Sequence, residues 1–388
     1  MKKNIQIIGG GCAGLSLAYE LEINNKLKEK SLAIIESRDQ YTRDKTWSFW
    51  KVFDHNFEDC VIKSWNNFTI NTSGNFHELN SSKFPYQSID SGKFYEKINL
   101  KLSSNPNISF FKGLSEINST NSIIFNSIFK GDLNKSEYWQ HFQGIEIETS
   151  KNIFDDEILN LMDFNCDQRN DVHFFYTLPF SKNRALIETT WLSDLKDQSL
   201  MDYDLQLENY IKNNLGIQNY KINFTERGAI PLFYPSVEKD NRLINIGSAG
   251  GMTRLSTGYT FLNIQEHSKY LSKNIENITN KKKYHLGKKY EFLDKIFLKV
   301  LKNNPEKMPD IFYKMFQNSA NTVIRFLSNK SNIFEDLKII NKMPNIFFRM
   351  FNNKSNTVIK FLSNRSNLFE DLSIILKMPK WIFIKALF

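Results

Sequence analysis

The sequence predicts a mixed α/β protein: a Rossmann-type dinucleotide-binding domain, a β-sheet-rich second domain and an α-helical C-terminal tail. Three observations carry this. The chain opens on an apolar run that enters Gly9-x-Gly11-x-x-Gly14 and then a helical pattern. Strand-like runs separated by polar turns fill its middle. Residues 281–388 hold 21 Lys and Arg against 8 Asp and Glu, with an internal repeat.

Taken in order, "NIQIIGGGCAGLSLAYELE" reads as a buried strand, a glycine turn and an amphipathic helix, and "KSLAIIES" as a second strand ending in Glu36. An aromatic loop, "TRDKTWSFWKVFDHNFEDC", runs from Thr42 to Cys60. From Asn66 to about Ser150, runs such as "NSIIFNS" and "QGIEIET" alternate with Asn/Ser-rich turns. "DVHFFYTLPFSKNRALIETTW" predicts a hairpin turning at Ser181 to Asn183, and Tyr203 to Leu215 a helix. "RLINIGSAGG" is a strand running into a second glycine turn, and "TGYTFLNIQEHSKYLSKNI" a helix. These elements place the dinucleotide-binding domain in residues 1–60, about 80–150 and 240–280, and the substrate domain in about 61–79 and 151–239. In the tail, Pro309–Met343 and Pro344–Met378 match at 24 of 35 positions, which predicts a duplicated unit of two or three short helices.

Composition narrows the function classes. Cys12, Cys60 and Cys166 are odd in number and lack metal-ligand spacing, so reduced thiols in a cytoplasmic setting and no metal site are expected. The apolar run after Lys2 and Lys3 is too short for a signal peptide. No window approaches the roughly 18 apolar residues of a membrane span. Residues 281–388 carry a net +13 and the rest −4, a polarity that suits a polyanionic surface. Without zinc spacing or an RNA-recognition signature, and with Phe, Ile and Met interleaved, the tail favours anionic lipid over nucleic acid, hence peripheral attachment to an inner membrane.

The first glycine turn, with Cys12 and Ala13 inside it, lets backbone approach a pyrophosphate at a helix N-terminus. Glu36, 22 residues beyond Gly14, can accept ribose hydroxyls. The second turn, with Gly247, Gly250, Gly251 and Gly258, favours FAD over NAD, because flavoproteins close over the flavin at such a place. Ser248 stands where many of them carry Asp. Glu188 in "RALIETTW" has two readings: it alternates with Arg184 and Thr190 on a solvated strand face, or it is an acid held in an apolar pocket.

The motifs "GGGCAGLSLA…ES", "DKTWSFW", "YWQHFQGIEIET", "LMDF", "HFFYTLPFSKNRALIETT", "TERGAIP" and "GSAGGMTRLSTGYTFLNIQ" occur in the order and spacing of the FAD-dependent lycopene cyclases, which the chain resembles over roughly residues 4 to 345. It departs from them at Thr189, where many members have an acid, at Leu255, where Pro is common, and in its second tail copy. The resemblance implies a glutathione-reductase/hydroxylase-like flavoprotein fold and conversion of lycopene, or a related acyclic carotenoid, to β-rings. It also implies reduced FAD, with NAD(P)H as reductant, and no net redox change. Glu188 aligns with the family's acid–base glutamate. Trp47, Phe49, Trp50, Phe175 and Tyr259 are the residues expected to line the polyene site, core packing being the other reading for the tryptophan cluster. Phe174, Phe175 and Tyr176 alternate, so one side alone can face substrate. Glu146 and Asp163 match acidic positions of the family and read first as structural partners. A flavin monooxygenase or polyprenyl reductase on the same scaffold is the alternative.

Overall fold

The computed structural model describes residues 3–113, 122–129, 138–195, 201–235 and 243–343. The chain starts with β1 (Lys3–Ile8), α1 (Cys12–Ile23) and β2 (Lys30–Ile35). Gly9 turns the backbone at φ +93°, a conformation side chains resist. A Cβ on Gly14 would stand 1.9 Å from the Gly9 carbonyl oxygen, so α1 packs against β1 only with glycine there.

Next come β3 (Thr46–Trp50), β4 (Val61–Trp65), β5 (Asn67–Thr72), β6 (Asn75–Asn80) and β7 (Tyr86–Asp90). Asp90 caps α2 (Ser91–Ser103), its carboxylate accepting from the N–H groups of Gly92 and Lys93. The strands β8 (Ile108–Phe111), β9 (Ile123–Asn126), β10 (Tyr138–Glu148), β11 (Ile158–Asp163), β12 (Val172–Ser181) and β13 (Arg184–Asp194) follow. Then come α3 (Tyr203–Asn209), β14 (Lys221–Pro231), β15 (Leu243–Asn245) and α4 (Phe261–Asn274). The tail contributes α5 (Lys288–Asn303), α6 (Met308–Phe316), α7 (Ala320–Leu327) and α8 (Ile333–Lys342).

Among the described residues, three sheets result. A parallel sheet of order β15-β9-β1-β2-β8 puts β1 at its centre, with the first glycine turn at the strand's carboxyl end, where the winding reverses. α1 packs on it and α4 packs on α1, joined by Gln265 to Ser16 (2.9 Å) and Ser272 to the Glu20 carbonyl (3.0 Å). A second sheet has the order β14-β10-β13-β12-β11-β5-β6, and a third, antiparallel one the order β3-β7-β4. On one face of the large sheet, Ile145, Ile147, Phe175 and Ile187 pack beneath Leu207, Tyr210 and Ile211. Its other face looks toward the tail and the first glycine turn.

The expected domain boundaries shift. β10 pairs along its whole length with β13 and β14, so the chain enters the large sheet by Tyr138, not near residue 150. β4 belongs with β3 and β7, so the first stretch of the large sheet begins at Asn67 and not at residue 61. The described part of the tail packs into the body. Phe312 stacks on Phe164 with ring centroids 5.7 Å apart, and Phe316 meets Phe68 edge-on at 6.0 Å. The first repeat copy forms three helices, α6 to α8, and the second, residues 344–378, lies outside the described residues. No helix among the described residues is long and apolar enough to cross a membrane.

A buried ion pair ties the tail to the second glycine turn. Arg254, 1% exposed, donates to Asp294 (2.6 Å), to the Phe326 carbonyl (3.0 Å) and to Asn329 (2.5 Å). Asp294 also accepts from the Leu255 N–H and the Ser256 hydroxyl. Removing one partner of such a pair strands a desolvated charge, so Asp294→Ala is expected to cost about 3–5 kcal/mol, read as a lowered urea midpoint. An unchanged midpoint would show that the pair does not hold the tail.

Candidate active site

A cavity of 410 Å³ lies where three elements meet. The two glycine turns bring Cys12, Ser248 and Gly258; the large sheet brings Phe174, Tyr176, Leu186, Glu188 and Glu226; the tail closes it with Phe312, Met315, Phe316 and Leu327.

The glycine turns build one cradle. Gly247, at φ +61°, holds the second turn against the first, since a Cβ there would stand 2.6 Å from the Ala13 Cβ. A Cβ on Gly250 would stand 2.4 Å from the Asn245 carbonyl oxygen, and one on Gly258 2.3 Å from Gln140 of β10, so both are close-approach positions. Gly251 meets nothing within 4 Å. Glu36 accepts from the Gly10 N–H at 2.8 Å and the Arg38 N–H at 3.0 Å. Partial burial pushes its carboxyl up, but those bonds and the Arg38 guanidinium outweigh it and hold Glu36 below the usual carboxylate range. It is therefore an acceptor at neutral pH.

Two features fit a dinucleotide. A Cβ on Gly11 would meet only the tip of Arg38, at 4.0 Å, so the helix start is open where Gly14 is closed. The Tyr41 hydroxyl is buried beside Gly10 without a partner among the described residues. Cys12 lines the cavity as a neutral thiol, since burial drives its pKa far up.

On the sheet wall, alternation sorts the aromatic residues. Trp47 and Tyr259 line the cavity. Phe49 does not: it stacks on Phe261 (centroids 4.8 Å) in the core of the first domain. Trp50 packs edge-on against Phe68 and Tyr86, also inside a core. Phe175 lies on the opposite face, stacked on Tyr210 at 3.8 Å, and Phe174 and Tyr176 take the cavity side. The register accounts for this, because Tyr176 is the partner of Glu188 and therefore shares its face. The Tyr176 hydroxyl donates to that of Tyr86 at 2.8 Å.

Glu188 is 8% exposed, so its strand face is turned to the cavity and not to water. Burial, and then the nearby Glu226 carboxyl, push its pKa up to about 8, against one donated bond from Thr190 at 2.5 Å. Glu226, 3% exposed, is likewise pushed by burial to about 7, opposed by the Thr46 N–H at 2.6 Å and by Lys45 and Arg43. Sequence reasoning singled out the motif around Glu226 but not the residue, since only strand pairing brings it to Glu188. Glu146 and Asp163 are each held by neighbouring side chains. Glu146 pairs with Arg43 at 2.8 Å, and Asp163 accepts from Asn165 and the Tyr210 hydroxyl.

A family model described as lycopene cyclase protein matches residues 4–122 and 111–387. Lycopene beta cyclase, chloroplastic, of Solanum lycopersicum is 24% identical over 293 residues, 66% of this chain and 57% of that protein. The chain thus spans little more than half of that relative. Among solved structures, a geranylgeranyl bacteriochlorophyll reductase-like protein of Thermoplasma acidophilum superimposes with TM-score 0.62 at 12% identity, covering 91% of this chain and 100% of that one. HpxO of Klebsiella pneumoniae, complexed with FAD and uric acid, does so with TM-score 0.56 at 10% identity, covering 84% and 96%. At these identities the likeness establishes the fold, that of a Rossmann-type flavoprotein with a strand-rich second domain.

The two raised carboxyls have a thermodynamic signature. Between the ordinary 4.5 and the folded values of about 7 and about 8, the folded chain keeps protons that the unfolded chain releases. Stability therefore falls as pH rises through that window. The double variant Glu188→Gln, Glu226→Gln is expected to lose less of its Tm than the native chain between about pH 5 and about pH 8.5. Equal losses in both would place the two carboxyls in water.

Proposed function

The chain belongs to the lycopene cyclase family, and from that premise we propose that it closes the linear ends of lycopene, or of a related acyclic carotenoid, into β-rings without net redox change. The observation that carries this is Glu188: a carboxyl that keeps its proton near neutral pH, in a largely apolar cavity beside a dinucleotide cradle. Ring closure of a polyene asks for such an acid, because nothing else in the hydrocarbon can be activated.

The Glu188 carboxyl adds its proton to C2 of the terminal double bond, leaving a cation at C1. The C5–C6 double bond attacks C1, and loss of the C6 proton forms the ring double bond. Trp47, Phe174 and Tyr176 offer ring faces to the cation, and Phe312, Met315 and Phe316 keep water from it. Gly9, Gly11 and the start of α1 would hold the pyrophosphate of FAD, Glu36 its ribose, and the turn from Gly247 to Gly251 its flavin end. When bound and reduced, with NAD(P)H as reductant, FAD supplies negative charge beside the cation.

A substrate without water solubility must arrive from lipid, and the basic excess of the tail supports peripheral attachment to an anionic inner membrane. Phe334 in α8 is exposed and could meet such a surface. Each Lys or Arg near such a surface adds about 1 kcal/mol.

Two variants test the reading. Gly11→Val puts a side chain into open space, so the chain should fold normally and lose FAD absorbance; retained FAD would move the cofactor elsewhere. Glu188→Gln should keep FAD and lose at least about 10² in the rate of cyclic product formation. Near-normal β-ring formation by this variant would remove Glu188 from the chemistry. NAD(P)H consumed in step with product would favour the monooxygenase or reductase alternative.

A further inference from the structure

We propose that Glu226 is the acceptor of the C6 proton, and that Glu188 and Glu226 act as a carboxyl pair holding one proton between them across Gly144. The proposal rests on the cyclase reading and adds to it the base and the device that positions it.

The geometry is a single cross-strand row. In β10, Gly144 is paired with Glu188 of β13 on one side and with Glu226 of β14 on the other, so all three point to the cavity face. Side chains two strands apart are ordinarily separated by the one between them. Here there is none. A Cβ on Gly144 would stand 3.6 Å from the Glu188 Cβ, 3.4 Å from the Glu226 Cγ and 3.1 Å from the Leu186 Cδ1. The gap that glycine leaves is bordered by both glutamates and by Leu186.

Each carboxyl has one oxygen fixed. Thr190 donates to Glu188 Oε1 at 2.5 Å and the Thr46 N–H donates to Glu226 Oε2 at 2.6 Å. The surroundings then order the pair. Tyr176 of β12 and Glu226 face Glu188; Lys45 and Arg43, in the segment entering β3, face Glu226. The cationic side favours charge on Glu226, and two charges this close in a dry cavity are opposed. With one proton in the pair, it sits on Glu188.

The balance closes on that single proton. Glu188 gives it to C2, the C1–C2 electron pair forming the new C–H bond. The C5–C6 pair forms the C1–C6 bond. The C6–H bond breaks, its electron pair becomes the C5–C6 ring double bond, and Glu226 takes the proton. The pair again holds one proton; transfer back to Glu188, with exchange against solvent once product has left, resets it. No oxidant or reductant is consumed.

The test is an infrared titration of the carboxylic acid band of the full chain, with turnover on lycopene in vesicles. In Glu226→Gln, loss of the neighbouring charge should move the midpoint of the Glu188 band down by at least about one pH unit. The same variant should keep KM, lower kcat at least about 10²-fold, and shift the remaining product from β-rings toward isomers formed by losing a different proton, with Glu226→Asp restoring part of the β-ring yield. An unmoved Glu188 band would overturn the pair, and unchanged kcat and ring type in Glu226→Gln would overturn the acceptor role. A native chain that binds FAD and shows the coupled titration but forms no ring would overturn the cyclase reading, and the acceptor role with it.

Discussion

Two carboxyl groups buried side by side oppose each other's ionisation, and the architecture around them is what places them so. The large sheet supplies Glu188 and Glu226 from strands on either side of β10, and Gly144 removes the side chain that would separate them. Phe174 and Leu186 on the same face give the carboxyls no compensating partners. Burial raises the proton affinity of both, and for Glu188 the Glu226 carboxyl adds to it.

The tail supplies the apolar cover of the cavity. α6 and α7 lay Phe312, Met315, Phe316 and Leu327 over the cavity, and Asp294 of α5 holds Arg254 in the loop after the second glycine turn. One buried ion pair thus joins the wall that encloses the carboxyls to the loop that would carry a flavin. The tail's composition suggests attachment to lipid, and its described helices also cover the cavity.

Much of this was legible in the sequence where chemistry is local. The first glycine turn, Glu36 and the hairpin holding Glu188 depend on spacings within a few tens of residues, and each lies where the pattern puts it. What depends on pairing over distance was not. Phe175 was placed on the substrate side because alternation alone does not say which side faces in; its register with Glu188 does. Phe49 and Trp50 share a motif with Trp47, yet β3 turns them into cores. Glu226 is 38 residues beyond Glu188 in the chain and reaches it only through β10.

Turnover in heavy water tests most directly the claim that a dry carboxyl starts the reaction. A buried acid exchanges its proton with solvent between turnovers, so each β-ring formed in D₂O should carry a single deuterium, at C2, with no NAD(P)H consumed per ring, and Glu188→Gln should form almost none. Rings without deuterium, or rings whose formation tracks the oxidation of NAD(P)H, would contradict the account.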